Sequence, residues 1–187
     1  MPSKCRRFVP RLEVLDDRSL PSVSYVLNGS TLIVTGDDGV NTIIISDAGT
    51  DSGIIVNGDG DPFVATTPIS AIVVQTLGGD DTVIYNLSGQ LTTTRLVSVD
   101  LGRGADTFTV NLNGQTVSGA STNLGITANG DGGGDTLTLN GVGAVVAPDA
   151  GLSVDFHGRA GKDFITFDVG ADLLNASNVS LTKDQKH

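Results

Sequence analysis

A short motif returns five times along the 187-residue chain, and this repeat limits the possible folds more than any other feature. Aligned on an Asp or Asn, the segments are GDDGVNTIII from Gly36, TLGGDDTVIY from Thr76, LGRGADTFTV from Leu101, GDGGGDTLTL from Gly130 and GRAGKDFITF from Gly158. The anchors are Asn41, Asp81, Asp106, Asp135 and Asp163, spaced by 40, 25, 29 and 28 residues. A glycine stands two positions before each anchor (Gly39, Gly79, Gly104, Gly133, Gly161), the residue a turn needs where φ is positive or two backbones approach closely.

Two and four positions after each anchor every side chain is apolar: Ile43 and Ile45, Val83 and Tyr85, Phe108 and Val110, Leu137 and Leu139, Ile165 and Phe167. Nine and seven positions before, the alternation recurs at Leu32 and Val34, Ile72 and Val74, Val97 and Val99, Ile126 and Ala128, Val154 and Phe156. A period of two marks a strand with one buried face, so each unit reads as strand, Gly/Asp turn, strand. Units of this size bury their apolar sides only by stacking. The predicted fold is all-β: a short parallel β-helix or β-solenoid of about five to six coils over residues 22–182, with an antiparallel pair at its N-terminal end. A β-sandwich is the alternative, since regular strands with Gly turns also suit it. Gly53–Val64 reads as a hairpin or a degenerate sixth unit, and Ser88–Leu96 and Val142–Gly151 are long enough for a loop with a short third strand. Residues 1–21 form a basic leader and 183–187 a disordered tail.

Composition agrees with narrow stacked coils: 25 glycines, no Trp, six Phe and two Tyr. The leader is basic, with Lys4, Arg6, Arg7, Arg11 and Arg18 against Glu13, Asp16 and Asp17, which leaves the rest of the chain at −12 of the total −10. All acids but Glu13 are Asp, a residue of turns and of oxygen-ligand metal sites. An acidic body argues against nucleic-acid binding. The single Cys5 excludes an internal disulfide, and no stretch reaches the ~20 apolar residues of a membrane span. Phe8 to Val23 lacks the continuous apolar run of a cleaved signal peptide.

The turn segments resemble the hemolysin-type (RTX) nonapeptide GGxGxDxUx. LGRGADTFT departs from it at the first glycine, and GDGGGDTLT and GRAGKDFIT depart at the second. The unit at Asp81 lacks both leading glycines, and Asn41 replaces the first Asp. RTX nonapeptides follow one another directly, whereas each turn here is followed by ~16–20 other residues. The resemblance implies Ca²⁺ held between adjacent turns by Asp81, Asp106, Asp135, Asp163 and Asn41 with turn carbonyls, assisted by Asp80, Asp131 and Asp100. The competing account is that these side chains hydrogen-bond their own turn backbone.

Arg6 to Ser22 resembles the RRFxPRLExLEDRxxPS leader of planctomycete-type surface or secreted proteins, with Asp16 in place of the usual Glu. That resemblance implies export or association with the cell envelope, and an envelope or extracellular polymer as partner. Proteins with this leader are commonly far longer, so the chain reads as a short member or a truncated frame.

Functional classes separate on chemistry. Nucleophilic and zinc catalysis lack their residues, since His157 is the sole histidine before the terminus and neither GxSxG nor HExxH occurs. A Ca²⁺-dependent polysaccharide lyase needs a cationic base beside calcium carboxylates. Arg103, Arg159 and Lys162 lie in the turns, but local charge balance explains them equally, and few aromatics are available to stack on sugars. Thr107, Thr109, Thr136 and Thr138, in register with Thr42, Thr82 and Thr166, form TxT rows of the kind seen in ice-binding proteins, and ordinary strand propensity also explains them. The sequence therefore predicts a non-catalytic extracellular or cell-surface structural module stiffened by Ca²⁺ in its Gly/Asp turns. A metal-free structural or adhesive solenoid is second and a lyase third.

Overall fold

A computed structural model describes residues 22–174 and 178–184. The leader lies outside the described residues. The chain forms β1 (Ser24–Asn28), β2 (Thr31–Thr35), β3 (Thr42–Asp47), β4 (Ile54–Asn57), β5 (Phe63–Val64), β6 (Ala71–Gln75), β7 (Thr82–Leu87) and β8 (Arg95–Asp100). It continues as β9 (Thr107–Asn111), β10 (Thr116–Val117), β11 (Asn123–Asn129), β12 (Thr136–Gly141), β13 (Val145–Val146), β14 (Gly151–His157) and β15 (Phe164–Val169). It closes with one helical turn, α1 (Ala171–Leu174), and β16 (Val179–Asp184).

The chain is a β-solenoid. One sheet runs β2, β6, β8, β11, β14, β16, all parallel, and the other runs β3, β7, β9, β12, β15, also parallel. Short parallel strands β10 and β13 make a third side. Every coil passes from the first sheet through a Gly/Asp turn to the second, and register holds anchor above anchor: Val83 pairs with Phe108, and Phe108 with Leu137. Five such turns are stacked with about four circuits between them. The sixth coil allowed from sequence is absent, because Ile54–Val64 folds back as the antiparallel hairpin β4/β5 against β3. With the antiparallel pair β1/β2, it gives the N-terminal end the reversed strands anticipated there. At the other end β16 takes in Lys183 and Asp184, which the sequence assigned to the tail.

The alternating positions fill the interior. All are buried except Phe167, half-buried in the last coil, and they form one continuous core of Ile, Val and Leu with Phe108 and Phe156 in edge-to-face contact. Outward positions of the second sheet align Thr42, Thr82, Thr107 and Thr136 in one row, and link Asn140, Asn111 and Asn86 by side-chain amide bonds of 2.8 and 2.7 Å.

Glycine before the anchor is required by close approach. Gly104, Gly133 and Gly161 have φ of 144°, 149° and 144°, and a Cβ on any of them would overlap the carbonyl oxygen of its equivalent in the preceding coil. Gly133→Ala is therefore expected to cost about 3 kcal/mol or more. Gly114→Ala, at φ 67° in open space, should cost about 1 kcal/mol. Urea unfolding of the two variants checks the difference, and equal losses would remove the steric account.

Candidate functional site

The anchors form a ladder. The backbone N–H of Asn41 donates to Asp81 Oδ1 at 2.7 Å, that of Asp81 to Asp106 Oδ1 at 2.7 Å, that of Asp106 to Asp135 Oδ1 at 3.0 Å, and that of Asp135 to Asp163 Oδ1 at 3.1 Å. The sequence anticipated a column of these side chains; their bond to the neighbouring coil's amide rather than to their own turn was not foreseen. Asp81, Asp106 and Asp135 are each only 1% exposed, and the Oδ2 atom of each is buried without a hydrogen-bond partner. Asn41 begins the ladder with no coil before it, and its carboxamide turns to the Asp37 amide and carboxylate.

Electrostatics follow from this burial. Desolvation raises the pKa of Asp81, opposed by the Asn41 amide. It pushes Asp106 up to about 6, reinforced by Asp135, Asp81 and Asp80, and Asp135 up to about 6, reinforced by Asp163 and Asp131.

The turn backbone is consumed in the same way. Gly79, Gly104 and Gly133 donate to the carbonyls of Arg103, Gly132 and Ala160, and Arg103, Gly132 and Ala160 donate back to Leu77, Gly102 and Asp131. Leu77, Gly102, Asp131 and Arg159, equivalent positions four before the anchor, all adopt left-handed backbone with φ between 64° and 81°. Sequence reading missed this position because its residue type varies.

The helper acids lie outside the ladder. Exposed Asp80 accepts the Ala105 amide at 2.8 Å, and exposed Asp131 faces Arg159 Nε at 3.5 Å. Asp100 and Asp131 line an open cleft of about 430 Å³ with Gln75, Leu77 and Arg103, where burial, then the Asp131 carboxyl, raises the Asp100 pKa. Arg159 also bonds Asn129, and His157 faces Asp155 at 3.1 Å.

Calcium needs six to eight oxygens at about 2.3–2.6 Å. Here one oxygen of each ladder carboxylate and the turn carbonyls already accept amides between coils. A Cβ on Gly130 would run into Asp135 Oδ2, so that oxygen is packed against the glycine Cα. As arranged, the ladder residues do not fit a calcium ion, and a shell of that size forms only if bonds between coils give way.

A second polar cluster escaped the sequence reading. Arg95, fully buried, donates from Nε to Asp47 Oδ2 at 2.7 Å and from Nη2 to the Thr50 carbonyl at 2.8 Å, and Tyr85 OH donates to the same Asp47 oxygen at 2.7 Å. Burial, then Asp47, raises the Tyr85 pKa well above 10. The signal was present, since Arg95 stands in phase with the inward Val97 and Val99.

Arg95→Met should cost about 3–5 kcal/mol, because it strands the buried Asp47 charge. Asp106→Ala should cost about 1–3 kcal/mol by leaving the Asp81 amide without its acceptor, while exposed Arg103→Ala stays within about 0.5 kcal/mol. Chemical denaturation at one pH ranks the three, and a neutral Arg95→Met would remove the stabilising role of the pair. No protein-family model, curated protein or solved structure matches the chain, so the site is interpreted through its geometry.

Proposed function

We propose that this protein is a non-catalytic structural module, a stiff acidic β-solenoid serving as a spacer or scaffold outside the cell. The observation that carries this reading is the unbroken carboxylate–amide ladder, because the side chains with the most chemical potential are spent on joining coils. Arg103, Arg159 and Lys162, the cations a lyase would need, are exposed on the turns, and Arg159 is engaged with Asn129 and Asp131. The outside location rests on the resemblance of Arg6 to Ser22 to envelope-protein leaders.

The full-length chain should release no unsaturated product from a panel of polyuronates with or without Ca²⁺. Its Tm should rise slightly and equally with millimolar Ca²⁺ or Mg²⁺ relative to EDTA, as screening of an acidic surface requires. Cleavage abolished by Arg103→Ala would replace the structural reading with the lyase. A calcium-specific rise in Tm, reduced in Asp106→Ala, would replace the metal-free scaffold with the calcium-stiffened one.

A further inference from the structure

We propose that the buried ladder takes protons where the repeat pattern called for calcium: Asp135, and with it Asp106, sits in the coil stack as a neutral carboxylic acid, and proton uptake tightens the solenoid.

The geometry at one repeated carbonyl points to this. In the Thr76 coil the carbonyl five positions before the next anchor, Leu101 O, accepts the Thr76 hydroxyl at 2.6 Å. In the Gly130 coil the equivalent carbonyl is Gly158 O, and no side chain stands at Gly130 to reach it. A Cβ placed on Gly130 would touch both Asp135 Oδ2 and Gly158 O, so the carboxyl oxygen lies where the threonine side chain lies in the other coil. Two acceptors then face one point with no donor between them. A proton on Oδ2 turns that oxygen into the missing donor, and Oδ1 continues to accept the Asp106 amide.

The surrounding charges favour the proton. Acting on Asp106 are Asp81, Asp135 and Asp80, and acting on Asp135 are Asp163 and Asp131, all acids on the adjacent turns. Arg159, a cation of these turns, is engaged with Asp131 and Asn129. Like charges stacked one strand spacing apart, about 4.8 Å, in a water-poor interior cannot all stay ionised without cost.

The sign is definite. Both groups have folded-state pKa values raised to about 6, against about 3.9 when unfolded. Their stabilisation is therefore fully present below pH 4 and lost as pH rises through 6, which raises the unfolding constant by up to roughly a hundredfold per carboxyl.

The test is Tm and urea unfolding of the whole chain from pH 4 to 8 in EDTA, repeated with about 1 mM Ca²⁺ in place of EDTA, the upper end of the extracellular-module range, for wild type, Asp106→Asn and Asp135→Asn. Stability should fall as pH rises. Each Asn variant, which keeps the Oδ1 acceptor and offers Nδ2 as a permanent donor, should flatten its share of the slope. Calcium should leave the slope in place. Because an Asn variant can fail to fold, the wild type is also labelled with ¹³C-carboxyl Asp and examined by infrared spectroscopy for an un-ionised carboxylic acid stretch, present at pH 5 and gone at pH 8. Stability that rises with pH, an unchanged slope in both folded variants, or no such stretch at pH 5 would overturn the proposal. A slope abolished by calcium would assign the site to the cation instead. None of these outcomes bears on the polyuronate assay, so the structural reading stands or falls separately.

Discussion

The close stacking of the Gly/Asp turns is the constraint on which the rest of the solenoid depends. Each circuit brings the backbone carbonyl of one turn glycine against the Cα of the next, an approach that leaves no room for a Cβ at Gly104, Gly133 or Gly161. That proximity carries each anchor amide into reach of the following coil's carboxylate. It also sets the register on both sides of the turn, so that Leu, Ile and Val positions meet their equivalents in every coil. The narrow core, with few aromatics to widen it, is a consequence of keeping both sheets in step with this column.

The repeat made most of this legible. Period-two alternation on either side of the anchor located the paired strands, and the invariant glycine identified the close approach, because both signals depend on residue type at fixed spacing. The hairpin β4/β5 was visible as the NGDG turn between two apolar runs, although the choice between hairpin and coil depended on which neighbour β4 would pair with. At the site, the column of Asp81, Asp106, Asp135 and Asp163 was foreseen and its bonding was not. A sequence shows that carboxylates recur; whether they face solvent, an ion or the next coil's amide is decided by a backbone direction that the residue types leave open. The left-handed position shared by Leu77, Gly102, Asp131 and Arg159 was hidden for the same reason, since the stack imposes it on whatever residue is there.

The two buried polar clusters handle charge in opposite ways. At Asp47 a carboxylate is met by the Arg95 guanidinium and the Tyr85 hydroxyl, so the ionised form is compensated locally. Along the inner ladder Asp106 and Asp135 each accept a backbone amide of the neighbouring coil and stand beside other acids. An ion pair keeps its strength over a wide pH range, whereas a column of like charges is comfortable only when some of its members are neutral. The first cluster therefore ties β3, β7 and β8 together through a locally compensated charge, and the second makes the stacking of coils depend on solution conditions.

This difference gives a reason for Asp at the inner rungs and Asn at the first. Asn41 has no preceding coil to serve, and its carboxamide satisfies the amide and carboxylate of Asp37 with one acceptor and one donor. An inner rung must accept the amide of the coil before it, which Asn and Asp do equally well through Oδ1. They differ at the other terminal atom, where Asn is always a donor and Asp donates only when protonated. A ladder of Asn would close the stack at every pH, while a ladder of Asp closes it according to the proton activity outside.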